Sequence, residues 1–254
     1  MYQVSLLSNR LSCPLYRADS VDEISDACLN DVTEAVFFEM KGVFLSDEIT
    51  ENENSDQYIE SLKKKYVRDG RRMKGVGQLA RAIEKIVSKE WSSKDQDFSQ
   101  LKKAYPVLVV HDGLLTSPGH TEFLAAQFSQ ELVPDSVLSN GIMIKGGVIV
   151  LPVIIMLISD LEDLQSSVNY FSLRDLLWDY SQDCPDRVMP LRQYVARSSK
   201  YKYRYNMNMV SETVQTLKAG IREMFGVDSD ARLPSNVEAD RVEGPASNRR
   251  ANEP

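Results

Sequence analysis

Two charged residues stand at the end of an otherwise apolar segment. In the stretch EAVFFEMKG, residues 34–42, an apolar run precedes Glu39, and Lys41 follows one residue later. Side chains alternate between the two faces of a strand, so Glu39 and Lys41 share one face, while Phe38 and Met40 share the other. A carboxylate and an amine on one face are either a structural ion pair or part of a polar site.

A predicted β-hairpin over residues 24–45 brings a second carboxylate to this place. The extended runs ISDACL and AVFFEMKG are joined by NDVTE, whose Asn-Asp start is typical of turns. If Leu29 pairs with Val36, the same ladder places Asp26 opposite Glu39. Directly opposed residues have Cβ atoms about 5 Å apart. The hairpin therefore predicts that these two carboxylates converge beside Lys41.

Two opposed carboxylates repel each other unless a cation lies between them. Mg²⁺ is the expected ion, since it is held by one or two carboxylates and otherwise by water and substrate phosphate; Mn²⁺ is the alternative. Such a metal lowers the pKa of a bound water and offsets charge on a phosphate. Asp22 and Asp31 compete with Asp26, but they fall before the strand and in the turn. We therefore expect metal-dependent phosphodiester hydrolysis, with Asp26 and Glu39 as the ligands.

The order Asp26, then Glu39-Met40-Lys41 on the following strand, resembles the D…ExK core of the PD-(D/E)XK nuclease superfamily. In that family the aspartate and glutamate bind a divalent metal, and the lysine acts on the nucleophilic water. The resemblance also makes the Met40 carbonyl a candidate metal ligand. Nucleases similar to RecB and to archaeal resolvases often carry a glutamine on the next helix, and Gln78 in GVGQLARAI stands there. It is the fourth candidate catalytic residue.

The resemblance covers roughly residues 20–115. It implies a restriction-endonuclease-like core that cleaves DNA, and the style of residues 116–225 resembles bacterial proteins of phage or mobile-element defence. The family usually carries a helix and a strand before the aspartate, whereas about 25 residues precede Asp26 here, without a clear amphipathic helix. This feature favours the alternative hypothesis, a catalytically inactive nuclease-fold subunit that binds nucleic acid or acts as a scaffold.

A basic segment between the predicted strand and Gln78 supports a nucleic-acid substrate. The stretch KKKYVRDGRRMKG contains one acid, Asp69, among its many lysines and arginines. Neutralising phosphates releases counterions, which makes such binding salt-dependent. The alternative is a solvated basic face without a ligand. The residues expected to contact nucleic acid are Lys63, Lys64, Arg68, Arg71, Arg72 and Lys74.

Composition is that of a soluble globular protein. The chain has 254 residues, of which 43% are hydrophobic and 26% charged. Its net charge of −7 argues against nonspecific binding of nucleic acid over the whole surface, but it does not exclude a local basic groove. Its three cysteines form no CxxC pair, which indicates a cytoplasmic setting. The apolar run Val148–Ile158 is shorter than the roughly 20 residues of a membrane span, so we expect a buried strand and no membrane. His111 and His120 are expected to be structural.

The elements that must position the site follow a mixed α/β order, which predicts a mixed central sheet with flanking helices. The predicted domains are a nuclease-like core at residues 1–115, an α/β to helical region of unknown role at 116–227, and a disordered tail at 228–254. A protein partner or homodimer is also considered. The first predicted elements are the hairpin and two helices, 56–69 and 78–87, with a glycine loop at 70–77 between them. They are followed by a strand at 105–113, a helix from Pro118 and a strand interrupted at Pro152. The last are helices capped by Ser159 and Ser172 and a helix near 209–225.

Overall fold

The chain divides into two compact units, Met1–Asn206 and Met207–Pro254. All residues that the structure describes belong to the first unit, so the helix predicted near 209–225 and the tail predicted at 228–254 lie outside them. The structure, a computed structural model, describes residues 15–17, 25–43, 55–91, 97–165, 167, 171–185 and 188–201.

A mixed eight-stranded sheet forms the centre of the described part. Its strands are β1 Leu15–Arg17, β2 Ala27–Asp31, β3 Glu34–Lys41, β6 Lys103–Val110, β7 Ser136–Val137, β8 Met143–Lys145, β9 Val148–Val150 and β10 Ile154–Leu157; a separate hairpin is formed by β4 Arg68–Asp69 and β5 Arg72–Met73. The order across the sheet is β1-β2-β3-β6-β9-β8-β7, with β10 also beside β6. Strands β1 to β3 are antiparallel, whereas β6 runs parallel to β3, β9 and β10.

Helices cover both faces of the sheet, which confirms the predicted α/β fold with a mixed sheet and flanking helices. The first three helices contribute to one core and the last three to the other. The sheet and both cores take residues from either side of residue 115, so the boundary predicted there falls inside one layered unit. The helices are α1 Ser55–Tyr66, α2 Gly75–Val87, α3 Pro118–Leu132, α4 Ile158–Gln165, α5 Leu173–Asp183 and α6 Leu191–Arg197.

Strand β3 is buried on both faces, and its alternation is the one predicted. Phe37 packs in the core formed with α1, α2 and α3, whereas Phe38 packs in the core formed with α4, α5 and α6. Glu39 and Lys41 continue the face of Phe37. They therefore lie on the side of the sheet that carries α2.

The predicted hairpin pairing is confirmed, because Leu29 lies opposite Val36 and the ladder ends with Ala27 opposite Phe38. Asp26 is the next residue, in a bend just before β2. Strand β1 pairs with β2, so a strand that the sequence did not predict precedes Asp26. The pattern of these three residues was too short to predict a strand.

The glycine loop predicted before Gln78 is wrong, since α2 begins at Gly75. Gly75 has a φ of 46°, a left-handed conformation that glycine adopts readily. A Cβ atom on Gly75 would overlap the carbonyl oxygen of Tyr66, and one on Gly77 would overlap that of Val67. These glycines therefore allow the start of α2 to pack directly against the chain that leaves α1.

The apolar run after residue 147 forms two strands along the same edge of β6. Val150 pairs with Ala104 and Ile154 with Val107, so this side of the ladder contains one extra residue, a β-bulge. The bulge contains Pro152, where the irregularity was predicted, because proline cannot donate to the ladder. No helix among the described residues is both long and apolar enough to cross a membrane.

Two predicted helix caps had different outcomes. Ser172 caps α5 and accepts a hydrogen bond from the Asp175 amide, as predicted. Ser159 does not cap α4, which already begins at Ile158. The carboxylate of Asp160 instead accepts from the Leu157 amide at 3.0 Å, because its position in the first turn lets it reach back to the helix start.

Candidate active site

A cavity of about 660 Å³ lies at the carboxyl end of β3, beside α1, the β4–β5 hairpin and the start of α2. We call it the inner cavity. It brings together the four side chains that the sequence proposed as catalytic, Asp26, Glu39, Lys41 and Gln78. Its other lining residues are Val43, Ser61, Lys64, Lys65, Asp69, Arg72 and Lys74.

Glu39 and Lys41 form an ion pair at the base of the inner cavity. The Lys41 Nζ lies 2.5 Å from Glu39 Oε1, and the two side chains are 19% and 1% exposed. A carboxylate this deeply buried needs charge and hydrogen-bond partners, because burying an isolated charge is costly. Lys41 supplies one, while keeping its ammonium group at the cavity surface.

Gln78 holds Lys41 from the opposite side. Its Oε1 accepts a hydrogen bond from Lys41 Nζ at 2.8 Å and another from the backbone amide of Gly75 at 3.1 Å. Both partners are donors, so they determine which end of the amide is the oxygen. The Gln78 NH₂ group is consequently turned away from them, and its two donors point elsewhere. Gln78 thus connects Lys41 to the first turn of α2.

Asp26 reaches the site from the adjacent strand. Its Oδ2 accepts a hydrogen bond from the Met40 amide at 2.6 Å. Through this bond, Asp26 continues the pairing of β2 with β3 one residue beyond the ladder. The bond holds the Asp26 carboxylate against the backbone of β3, between the positions of Glu39 and Lys41. The Met40 side chain packs in the core on the other face, so only its backbone belongs to the site. Coordination by its carbonyl remains a prediction.

The donor set suits a hard divalent cation. Asp26 and Glu39 line the same cavity, and two carboxylates are what Mg²⁺ usually takes from a protein. Among the described residues, no group of three or more His, Cys, Asp or Glu side chains is arranged to hold a metal. A metal bound here would therefore complete its coordination with water and substrate oxygens, as Mg²⁺ and Mn²⁺ do and structural zinc does not.

The six cations predicted to contact nucleic acid separate into groups. Lys64, Arg72 and Lys74 line the inner cavity with the four candidate catalytic residues. Lys63 and Arg68 line an adjoining groove instead. Lys63 pairs with Glu60 at 3.1 Å, and both carboxylate oxygens of Glu131 accept from Arg68. Arg71 is exposed in the turn of the hairpin, away from the inner cavity and this groove.

Several residues that line the cavity were not predicted. Ser61, Lys64 and Lys65 are three and four positions apart on α1, so they share one helical face. That spacing could have identified Ser61 and Lys65 once Lys64 was placed at the site. Asp69 lies opposite Arg72 in the β4–β5 hairpin and adds a third carboxylate to the lining.

The chain beyond β3 continues into a hydrogen-bonded cluster. Tyr66 donates its hydroxyl to the Val43 carbonyl at 2.6 Å. His120 is hydrogen-bonded to Tyr58 through Nε2 and to Ser117 through Nδ1, so both ring nitrogens have partners. Burial lowers the pKa of His120, and the nearby charge of Asp112 opposes this effect.

Comparisons of the chain with family models, with curated proteins and with solved structures find no match.

Proposed function

We propose that this protein is a metal-dependent nuclease of the PD-(D/E)XK type, with a restriction-endonuclease-like core, that hydrolyses phosphodiester bonds in DNA. The observation that carries the proposal is the convergence of Asp26, Glu39, Lys41 and Gln78 in one cation-rich cavity. The order of elements supports it: Asp26 before one strand, Glu39 and Lys41 on the next, Gln78 on a helix, and then a parallel strand.

Each residue has a role that follows from its contacts. Asp26 and Glu39 would hold Mg²⁺ or Mn²⁺, which when bound lowers the pKa of a water and offsets charge on the phosphate. Lys41, positioned by Glu39 and Gln78, donates hydrogen bonds to the attacking water and orients it. Lys64, Arg72 and Lys74 bind the phosphates on either side of the bond that is cut.

Cleavage of linear and circular DNA in Mg²⁺ or Mn²⁺ tests the proposal. We expect Glu39→Ala and Lys41→Ala each to reduce the rate by about 10²- to 10⁴-fold, the usual contribution of a catalytic group. Glu34→Ala and Lys103→Ala are the matched controls, because Glu34 at the other end of β3 forms a second glutamate–lysine pair, with Lys103 of β6, outside the inner cavity. They should leave the rate within about twofold, since rim charges away from a site contribute little.

Cleavage that survives both site substitutions would reject this site. Salt-sensitive DNA binding without cleavage in either metal would instead support the alternative, an inactive nuclease-fold subunit.

A further inference from the structure

The adjoining groove has a volume of about 530 Å³ and meets the inner cavity directly. We call it the outer groove. Ser61, Lys64 and Asp69 line both spaces, so the two are adjacent along α1 and the β4–β5 hairpin. Its other lining residues are Glu60, Lys63, Arg68 and Gly70.

The reacting groups lie deep within the inner cavity. Glu39 is 1% exposed and Lys41 19%, so a phosphate that approaches them has to enter the cavity. A DNA duplex is stiff, with a persistence length of about 50 nm, and presents each phosphate on a wide rod. A single strand can bend, and its phosphates can enter such a cavity one after another.

The hairpin side of this passage is held in place. The Lys74 amide donates to the Val67 carbonyl at 2.8 Å across the base of the hairpin. The ion pair between Arg68 and Glu131 attaches the hairpin to α3, and the close packing of Gly77 on Val67 attaches its base to α2. These contacts fix the position of the hairpin relative to α2 and α3.

The chemistry of the lining favours a phosphate backbone over bases. Among the described residues that line it, the inner cavity has five cations and three carboxylates, in a chain whose net charge is −7. None of the described residues that line the inner cavity or the outer groove is aromatic. Base stacking, which single-strand binders commonly use, therefore has no partner among these residues, and contacts to phosphates carry no sequence information.

We propose that the substrate strand is single-stranded and passes from the outer groove into the inner cavity, held by its phosphates without sequence preference. This rests on the proposed function, because the inner cavity is taken as the place of cleavage. Lys63 contacts only the part of the strand in the outer groove, whereas Lys64 contacts the strand where the two spaces meet.

Binding with a chelator present, so that metal-dependent cleavage is prevented, tests the path of the strand. The probes are fluorescent single strands of about 4 and about 12 nucleotides, within the range of known single-strand sites, and a blunt duplex of the longer sequence. We expect the longer strand to bind about tenfold or more tighter than the duplex. The same lengths of RNA separate the two polymers, and binding of either single strand above the duplex supports the proposal.

Three matched variants locate the contacts. Lys64→Gln should weaken binding of both lengths and reduce the slope of log K against log salt by about 0.7, the value for one phosphate contact on a single strand. Lys63→Gln should weaken only the longer strand. Arg197→Gln is the control and should change neither, because Arg197 is exposed on α6, which packs on the other face of the sheet.

Equal binding of duplex and single strand would overturn the proposal, as would an equal effect of Arg197→Gln and Lys64→Gln. The two proposals fail separately. Tight single-strand binding with no cleavage in Mg²⁺ or Mn²⁺ would reject the nuclease and retain the path, whereas equal cleavage of duplex and single strand would retain the nuclease and reject the path.

Discussion

Each end of strand β3 has a glutamate that forms an ion pair with a lysine, and the two pairs have different surroundings. At the amino end, Glu34 pairs with Lys103 of β6 at 3.0 Å, and the side chains are 25% and 33% exposed. At the carboxyl end, Glu39 pairs with Lys41 at 2.5 Å, and Glu39 is 1% exposed. The same two residue types therefore occur once near the surface and once at the base of a cavity.

The partners of each pair explain the difference. Glu34 and Lys103 are direct neighbours across two strands; Glu34 also accepts from the Tyr105 hydroxyl, and Lys103 lies over the Trp178 ring. All of these contacts join elements of the fold to one another. Glu39 and Lys41 lie on the same strand, so their pairing joins no two strands. This pair instead borders the inner cavity, where Gln78 connects it to α2.

The largest expected difference between the two ends is in stability. Lys41→Met would leave the buried Glu39 carboxylate without its ammonium partner and should cost about 3 kcal/mol, at the low end for breaking a buried pair. Lys103→Met should cost at most about 1 kcal/mol, as for exposed pairs. Urea unfolding with a chelator present measures both.

The double variant Glu39→Gln/Lys41→Met serves as the control for this comparison. Because it removes both charges, it should recover much of the loss. Equal costs for Lys41→Met and Lys103→Met would show that the two pairs are alike.

Metal binding should produce a difference in stability of similar size between variants at the two ends of β3. Mg²⁺ at 100 times its Kd should stabilise the protein by about 2.7 kcal/mol, since it binds the folded state. Asp26→Asn should abolish this gain, because it removes one of two carboxylate ligands, whereas Glu34→Gln should preserve it. Thermal unfolding at increasing Mg²⁺ concentration provides the measurement. A gain that persists in Asp26→Asn would contradict the assigned ligand.

Gln78 provides a finer test of the carboxyl end. Gln78→Glu keeps an acceptor for Lys41 and Gly75 but removes both amide donors. We expect stability to be retained and DNA binding to weaken by about 1 kcal/mol, the usual contribution of one hydrogen bond. Fluorescence anisotropy with labelled DNA measures this, with the exposed Arg81→Gln on the same helix as the control. Unchanged binding in Gln78→Glu would restrict Gln78 to positioning Lys41.

The smallest expected effect is a dependence of stability on pH, caused by His120 near the carboxyl end of β3. Burial lowers the pKa of His120 in the folded state, so the unfolded chain binds more protons as pH falls below its ordinary value of about 6.5. The contribution of the neutral His120 ring to the free energy of unfolding is thus fully present above that value. It declines as the pH falls towards the pKa of the folded state. Urea unfolding between pH 7.5 and 5 should show this decline, and His120→Gln should reduce it. An unchanged decline would assign it to other groups.

The parts of the site that were predictable depend on short-range rules. Asp26, Glu39 and Lys41 lie within a single hairpin, where strand alternation and the Leu29–Val36 register determine which side chains meet. Gln78 was placed by a family resemblance, since periodicity alone indicates a helix but not what it packs against.

The parts that were missed depend on contacts distant in sequence. The pairing of Arg68 with Glu131 joins a hairpin to a helix far along the chain, and nothing in the local sequence indicates it. A loop was predicted at Gly75 and Gly77 because glycine is typical of loops. The sequence alone does not distinguish a glycine in a loop from one that lets another backbone segment pack closely, as these two do. Strand β1 has three residues, too few for any periodic pattern.

The Gly75 amide that donates to Gln78 gives the site an internal spectroscopic reporter. The same Gln78 oxygen accepts from Lys41, so any ligand that draws Lys41 away changes the electron density at the oxygen that Gly75 contacts. A change at the candidate active site would thereby reach a backbone nitrogen in the first turn of α2. In a protein labelled with ¹⁵N-glycine, the Gly75 resonance would report occupancy of the cavity without a chromophore or an attached dye.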